Sequence, residues 1–143
     1  MSGPATGTRR HAREVAFRVA YQADVAGDAY GAAWSLRQGE EPLTDDQRAL
    51  IDDVVRALET RGAEIDAQIG AAAEHWPLAR LAATDRAVLR VAVAELLARA
   101  GSPSRVVLDE AIDIARRYGS EASGRFVNGV LDRAARALRP AEF

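Results

Sequence analysis

The chain has no cysteine and no lysine among its 143 residues. Without cysteine there are no disulfides, thiolate metal sites or cysteine nucleophiles, and the composition suits a reducing compartment. Without lysine, arginine is the only strong cation, in nineteen copies. That bias fits the codon usage of a genome rich in G and C. Long apolar runs are missing too. No stretch approaches the ~18 uncharged apolar residues of a membrane-crossing helix. The opening residues, Met-Ser-Gly-Pro-Ala-Thr-Gly-Thr, lack the apolar core of a signal peptide. A cytoplasmic protein with no membrane association is therefore expected. Strand-like alternation, fixed repeats and a Gly-rich strand-to-helix loop are also absent, which removes the nucleotide-binding fingerprints. The two histidines, His11 and His75, stand far apart with no metal-ligand spacing around them. Adjacent acids such as Asp52-Asp53 and Asp109-Glu110 would point ~100° apart on a helix and form no dyad. No nucleophile, base and orienting group come together. Neither an enzyme nor a cofactor or metal site is expected.

What the chain does have is a succession of amphipathic helices. Its 48% hydrophobic and 28% charged residues suit one globular domain. The expected class is all-α, with about seven helices, a loose tail at 1–8, a domain at 9–138 and a short tail at 139–143. Thr8 caps a first helix that ends at Gly27, with Ala12, Val15, Ala16, Val19 and Ala23 as its apolar stripe. A short helix over about 29–38 follows. Thr44 and Gln47 form a capping-box pattern at the head of a long helix. Leu50, Val54, Leu58, Gly62, Ile65, Ile69, Ala72 and Trp76 keep one phase, which predicts a single helix of about thirty residues in which Gly62 admits a close neighbour. Thr84 is expected to cap a helix over 85–100 that is apolar nearly all round, and therefore central. Two more helices follow, one from Ser104 to Tyr118 and one from about Ser123 to Leu138.

The last helix contains Arg-Phe-Val-Asn-Gly-Val-Leu-Asp at 125–132. Phe126, Val127, Val130 and Leu131 belong to its stripe. Asn128 and Gly129 are poor helix formers, at about 0.7 and 1 kcal/mol against Ala. Their presence points to a contact or a close backbone approach on the polar side. The other concentrated feature is at the opposite end. Residues 9–18 hold Arg9, Arg10, Arg13 and Arg18 against one acid, Glu14, a local net charge of +3 in a chain of net −2. On a helical wheel Arg9, Arg13, Phe17, Arg10 and Tyr21 follow one another beside the apolar stripe. Arginines interleaved with aromatics suit single-stranded nucleic acid, where guanidinium groups pair with phosphates and rings stack on bases. Phe17 reads more readily as core, and Tyr21 fits either role.

Four segments together resemble the NusB family of bacterial transcription antitermination factors. They are Arg9-Arg10-His11-Ala12-Arg13-Glu14 with Tyr21 and Asp24; Asp85 to Arg90 with Glu95-Leu96; Pro103 to Tyr118-Gly119; and Phe126 to Asp132. The resemblance implies two small helical bundles. It implies binding to boxA RNA of nascent ribosomal RNA, together with the ribosomal protein NusE, in an antitermination complex on RNA polymerase. The RNA-binding residues it implies are Arg9, Arg10, His11 (where arginine is common in the family), Arg13, Ser123, Arg125, Phe126 and Asn128. Tyr21 and Asp85 would face the protein partner, although Asp85 also suits a helix N-terminus. An exposed arginine arc can also be covered by a second copy, so a homodimer stays open. The same helical pattern resembles the N-terminal part of bacterial ribosomal RNA cytosine-C5 methyltransferases. Those continue into a catalytic domain bearing cysteines, so this chain fits that class only as a fragment. A helical protein-interaction module is the third reading.

Overall fold

The computed structural model describes residues 8–143, where seven α-helices and two single 3-10 turns account for the regular structure. Of the tail expected at 1–8, residues 1–7 lie outside the described residues, and Thr8 is the N-cap of the first helix. Helix α1 (Arg9–Ala26) begins where the Thr8 hydroxyl accepts from the His11 amide at 3.2 Å. It ends at Gly27, whose φ of 75° is the left-handed turn that glycine adopts without steric cost. Helix α2 (Tyr30–Arg37) is short and pinned by Trp34, whose indole N–H donates to Asp52 at 2.7 Å. Helix α3 (Asp45–Thr60) opens on the expected capping box of Thr44 and Gln47.

The single long helix expected after Thr44 is two helices. Arg61, at φ −125°, leaves the helical region, and α4 (Gly62–Ala72) starts afresh. The apolar stripe keeps its phase because only one residue separates the two helices, so Ile65 and Ile69 remain fully buried. A Cβ at Gly62 would meet nothing within 4 Å, so this glycine marks the break and admits no neighbour. The stripe stops at Ala72, and Trp76 stands out in solvent, 59% exposed.

After a 3-10 turn (Leu78–Arg80) comes α5 (Ala83–Ala98), which starts before Thr84 and has no side-chain cap. It packs on α1, α3 and α4, and on α6 (Ser104–Tyr118) and α7 (Glu121–Leu138). The nearly all-apolar sequence of α5 corresponds to this central place. It joins an α1–α3 group to an α4–α7 group around one contiguous core. Ser120, ahead of the expected start at Ser123, caps α7 by accepting from the Ser123 amide at 3.1 Å. The close approach on α7 is at Gly124, where a Cβ would lie 2.6 Å from Cγ of Arg116 on α6. Gly129 meets only the tip of Arg133 on its own helix, so the crowding expected there is absent.

The expected tail at 139–143 is folded. The Arg139 guanidinium donates to the carbonyls of Leu96, Arg99 and Ser102 at the end of α5. Glu142 accepts from the amide and the hydroxyl of Ser104, at 3.1 and 2.6 Å, and so caps α6 from a distance in sequence.

Candidate nucleic-acid interface

Helix α1 carries its arginines in two environments. Arg9 and Arg10 lie in the exposed first turn, with their side chains nearly half accessible. Arg9 pairs with Asp46 of α3 at 3.2 Å, and Arg10 with Asp113 of α6 at 3.0 Å. Exposed pairs of this kind are worth about 0–1 kcal/mol, so a phosphate can take the place of either acid. His11 is half-buried and turned toward Glu41, with Nε2 at 3.6 Å from the carboxylate.

Arg13 is a correction to the sequence reading. It lies in the core, 5% exposed, where α5 and α6 close over that side of α1. Its Nε and Nη2 grip Glu95 at 2.7 and 2.6 Å, and Nη1 reaches Glu110 at 2.5 Å. Burial alone would push the guanidinium toward losing its proton. Hydrogen bonds and charge from Glu95, then Glu110, outweigh it and raise the pKa further. A wheel places Arg13 beside Arg9 but cannot show which arc a neighbouring helix covers.

The next residue, Glu14, accepts from Arg18 and Arg117, both at 2.8 Å, and from the Tyr118 hydroxyl at 2.5 Å. Burial opposes charge on Glu14, yet the Tyr118 hydroxyl and the two arginines hold its pKa below the usual carboxylate value. Phe17 is core, 3% exposed, with its ring centre 4.8 Å from that of Tyr118. Tyr21 is exposed and walls a groove with Val25, Tyr118, Arg37 and Thr84.

The resemblance put Asp85 with Tyr21. In the structure it is Thr84 that lines the Tyr21 groove, while Asp85 faces the next cleft with Ser123 and Phe126. That cleft also holds Trp76, and Arg80, which the sequence reading does not single out. Trp76 had been assigned to the apolar stripe. Pro77 was the available signal, because the residue before a proline is driven out of the helical region. Arg125 is exposed on the same turn of α7. Among the described residues no carboxylate pairs with Arg80 or Arg125. Asn128 is exposed but separate. It lines another cleft with Arg105, Asp109, Asp132 and Arg136.

Burial raises the pKa of Asp85, and the Ser123 hydroxyl offsets this only in part. An acid whose folded pKa is raised stabilises the fold below its unfolded pKa and loses that contribution as pH rises through the folded one. Asp85→Asn is therefore expected to raise Tm at neutral pH. The gain should vanish on acidification through the carboxylate range, as melting curves at the two pH values will show.

Among the described residues no group of three or more His, Cys, Asp or Glu side chains could hold a metal ion, and no helix is long and apolar enough to cross a membrane. Residues 10–136 match the model of the NusB family. A transcription antitermination protein NusB from Anaeromyxobacter dehalogenans is 43% identical over 95% of this chain and 96% of its own length. One from Koribacter versatilis is 40% identical over 93% and 92%. Among solved structures, NusB of T. maritima superposes with a TM-score of 0.82 at 34% identity, over 95% of this chain and 93% of that one. A crystal structure of the antitermination factors NusB and NusE in complex with dsRNA matches at TM-score 0.74 and 30% identity, over 90% and 96%. With its helices, its matched segments and its relatives in agreement over nearly the whole length, the chain belongs to the NusB family.

Proposed function

We propose that the chain is a transcription antitermination factor of the cytoplasm. In this reading it takes up boxA RNA of nascent ribosomal RNA together with NusE, within an antitermination complex on RNA polymerase. The observation that carries the proposal is the match, over nine-tenths or more of both chains, to antitermination proteins and to a NusB–NusE–RNA complex. The chain has no catalytic role here. The methyltransferase reading finds no support in relatives that this chain spans nearly from end to end.

The surface chemistry agrees. Arg9 and Arg10 offer guanidinium groups held only by exposed acids. Arg18 and Tyr118 line the groove of Tyr21, Arg80 lines the cleft of Asp85, Ser123 and Phe126, and neither Arg80 nor the exposed Arg125 pairs with a carboxylate among the described residues. Arginine with aromatic rings is the combination that single-stranded RNA requires. The groove walled by Tyr21, Val25 and Tyr118 is more apolar and suits the protein partner. Arg13 orients α1 from inside and is withdrawn from the contact set.

The test is titration of boxA RNA against a scrambled sequence, with and without NusE, over a series of salt concentrations. With about four phosphates neutralised, log K should fall against log salt with a slope of roughly −3. Arg9→Ala with Arg10→Ala should weaken RNA binding and change stability by no more than ~0.5 kcal/mol, as exposed substitutions do. Equal affinity for boxA and scrambled RNA in the presence of NusE would overturn the proposal.

A further inference from the structure

We infer that Asn128 is a site of spontaneous covalent modification that α7 holds closed, and that the modification makes opening of this helix irreversible. The reaction is attack of the Gly129 backbone nitrogen on the side-chain carbonyl carbon of Asn128. A carbon–nitrogen bond forms, the side-chain nitrogen leaves as ammonia with the Gly129 proton, and a five-membered succinimide remains. Water opens that ring at either carbonyl, giving aspartate or isoaspartate. The inference is independent of the RNA reading.

Asn128 is the only asparagine in the chain, and the residue after it is glycine, which puts no Cβ in the way of the closing ring. The Asn128 side chain is exposed and makes no hydrogen bond among the described residues, so nothing ties up its amide. What blocks the reaction is the backbone. Asn128 and Gly129 lie in the middle of α7, where an N–H is committed to the carbonyl one turn back. Ring closure needs that bond broken and the Asn128 ψ turned out of the helical range. Fraying does not supply this. Val127, Val130 and Leu131 are fully buried, and α7 packs on α4, α5 and α6, so this turn opens only when the helix leaves the core. The two products differ in their effect on the fold. Aspartate keeps the backbone and adds a negative charge one turn before Asp132, in a cleft that Asp109 also lines, a modest repulsion. Isoaspartate routes the main chain through the side chain and inserts a methylene. Val127 on one side and Val130 with Leu131 on the other then lose their common helical face, and α7 no longer seats both halves.

The test holds the full chain across a urea series at mildly alkaline pH. Trypsin then releases residues 126–133 as one peptide, whose mass reports the exchange of amide for acid. Conversion is expected in urea above the unfolding transition. In native buffer the rate should be lower by ~10³ or more, the reciprocal of the unfolded fraction of an ordinary domain. Between these limits it should follow the unfolded fraction read by far-UV circular dichroism. Arg139→Ala, at the C-cap of α7, should move both curves together to lower urea. Gly129→Ala should slow the reaction in urea, because a methyl group hinders the ring. It fits the fold, since a Cβ there meets only the tip of Arg133 at 3.7 Å. After dilution from urea, isoaspartate should stay with the chains that fail to refold, whereas the Asn128→Asp variant should fold. Native conversion as fast as that in urea would show that α7 does not close the site, and would overturn the inference. An unmodified peptide after long exposure to urea would do the same, as would isoaspartate shared equally by the refolded chains.

Discussion

Arg13→Ala is expected to cost about 3–5 kcal/mol of folding stability, the range for removing one partner of a buried ion pair. The cost comes chiefly from what is left behind. Glu95 is 1% exposed, and without the guanidinium it keeps a charge in the core with no counter-ion. Glu110 loses its partner as well. Tm should fall by roughly 10 °C or more in a chain of this size. A double variant, Arg13→Leu with Glu95→Leu, should recover much of the loss, since well-packed apolar pairs often replace buried ion pairs at no net cost. Thermal melts of the two variants separate this account from a surface role. If Arg13→Ala melts within a degree or two of the unaltered chain and loses RNA affinity, the residue is a contact after all.

Arg139→Ala should cost about 2–3 kcal/mol, as charge-assisted hydrogen bonds to otherwise orphaned carbonyls do. Arg139 holds carbonyls at and just beyond the end of the central helix α5: that of Leu96 at 2.8 Å, that of the C-cap Arg99 at 2.9 Å and that of Ser102, in the turn before α6, at 2.5 Å. It also positions Glu142, Nη1 lying 3.1 Å from its carboxylate. Arg139→Lys should restore only part of the loss, because an ammonium cannot span three acceptors as the planar guanidinium does. Acid should mimic part of the effect. The Ser104 hydroxyl, then the Ser104 amide and Arg139, hold the Glu142 pKa below its usual value. Its contribution is thus present above the unfolded carboxylate pKa and fades as pH falls through the folded one. Melting curves of Arg139→Ala, Arg139→Lys and Glu142→Gln across that range check both points.

Much of the fold was legible because it is written in local chemistry. The Thr44–Gln47 box, the Gly27 stop and the all-round apolar α5 each depend on residues a few positions apart, and each stands where it was expected. What escaped depends on elements distant in the chain. Arg9 and Arg13 sit one turn apart on α1 and look alike in sequence. The difference is that α5 and α6 cover one of them. Gly124 and Gly129 are both glycines of α7, and only the placement of α6 shows which one a neighbour crowds. Arg139 and Glu142 read as a tail because their partners lie some forty residues upstream. The candidate site was half visible for the same reason. Phe126 and Ser123 were found by resemblance. Trp76 and Arg80 join them only when the turn after α4 folds back beside α7.

The Arg139 clamp also bears on how the molecule comes apart. A chain that emerges from its N-terminus completes α5 well before the residue that closes its last carbonyls exists. Contacts of such long sequence separation are costly to close early. The clamp therefore belongs to the last events of folding and the first of unfolding, where stabilising interactions slow escape from the native state without speeding arrival. Weakening it should shorten the native lifetime in an unfolding jump and leave the refolding rate almost untouched.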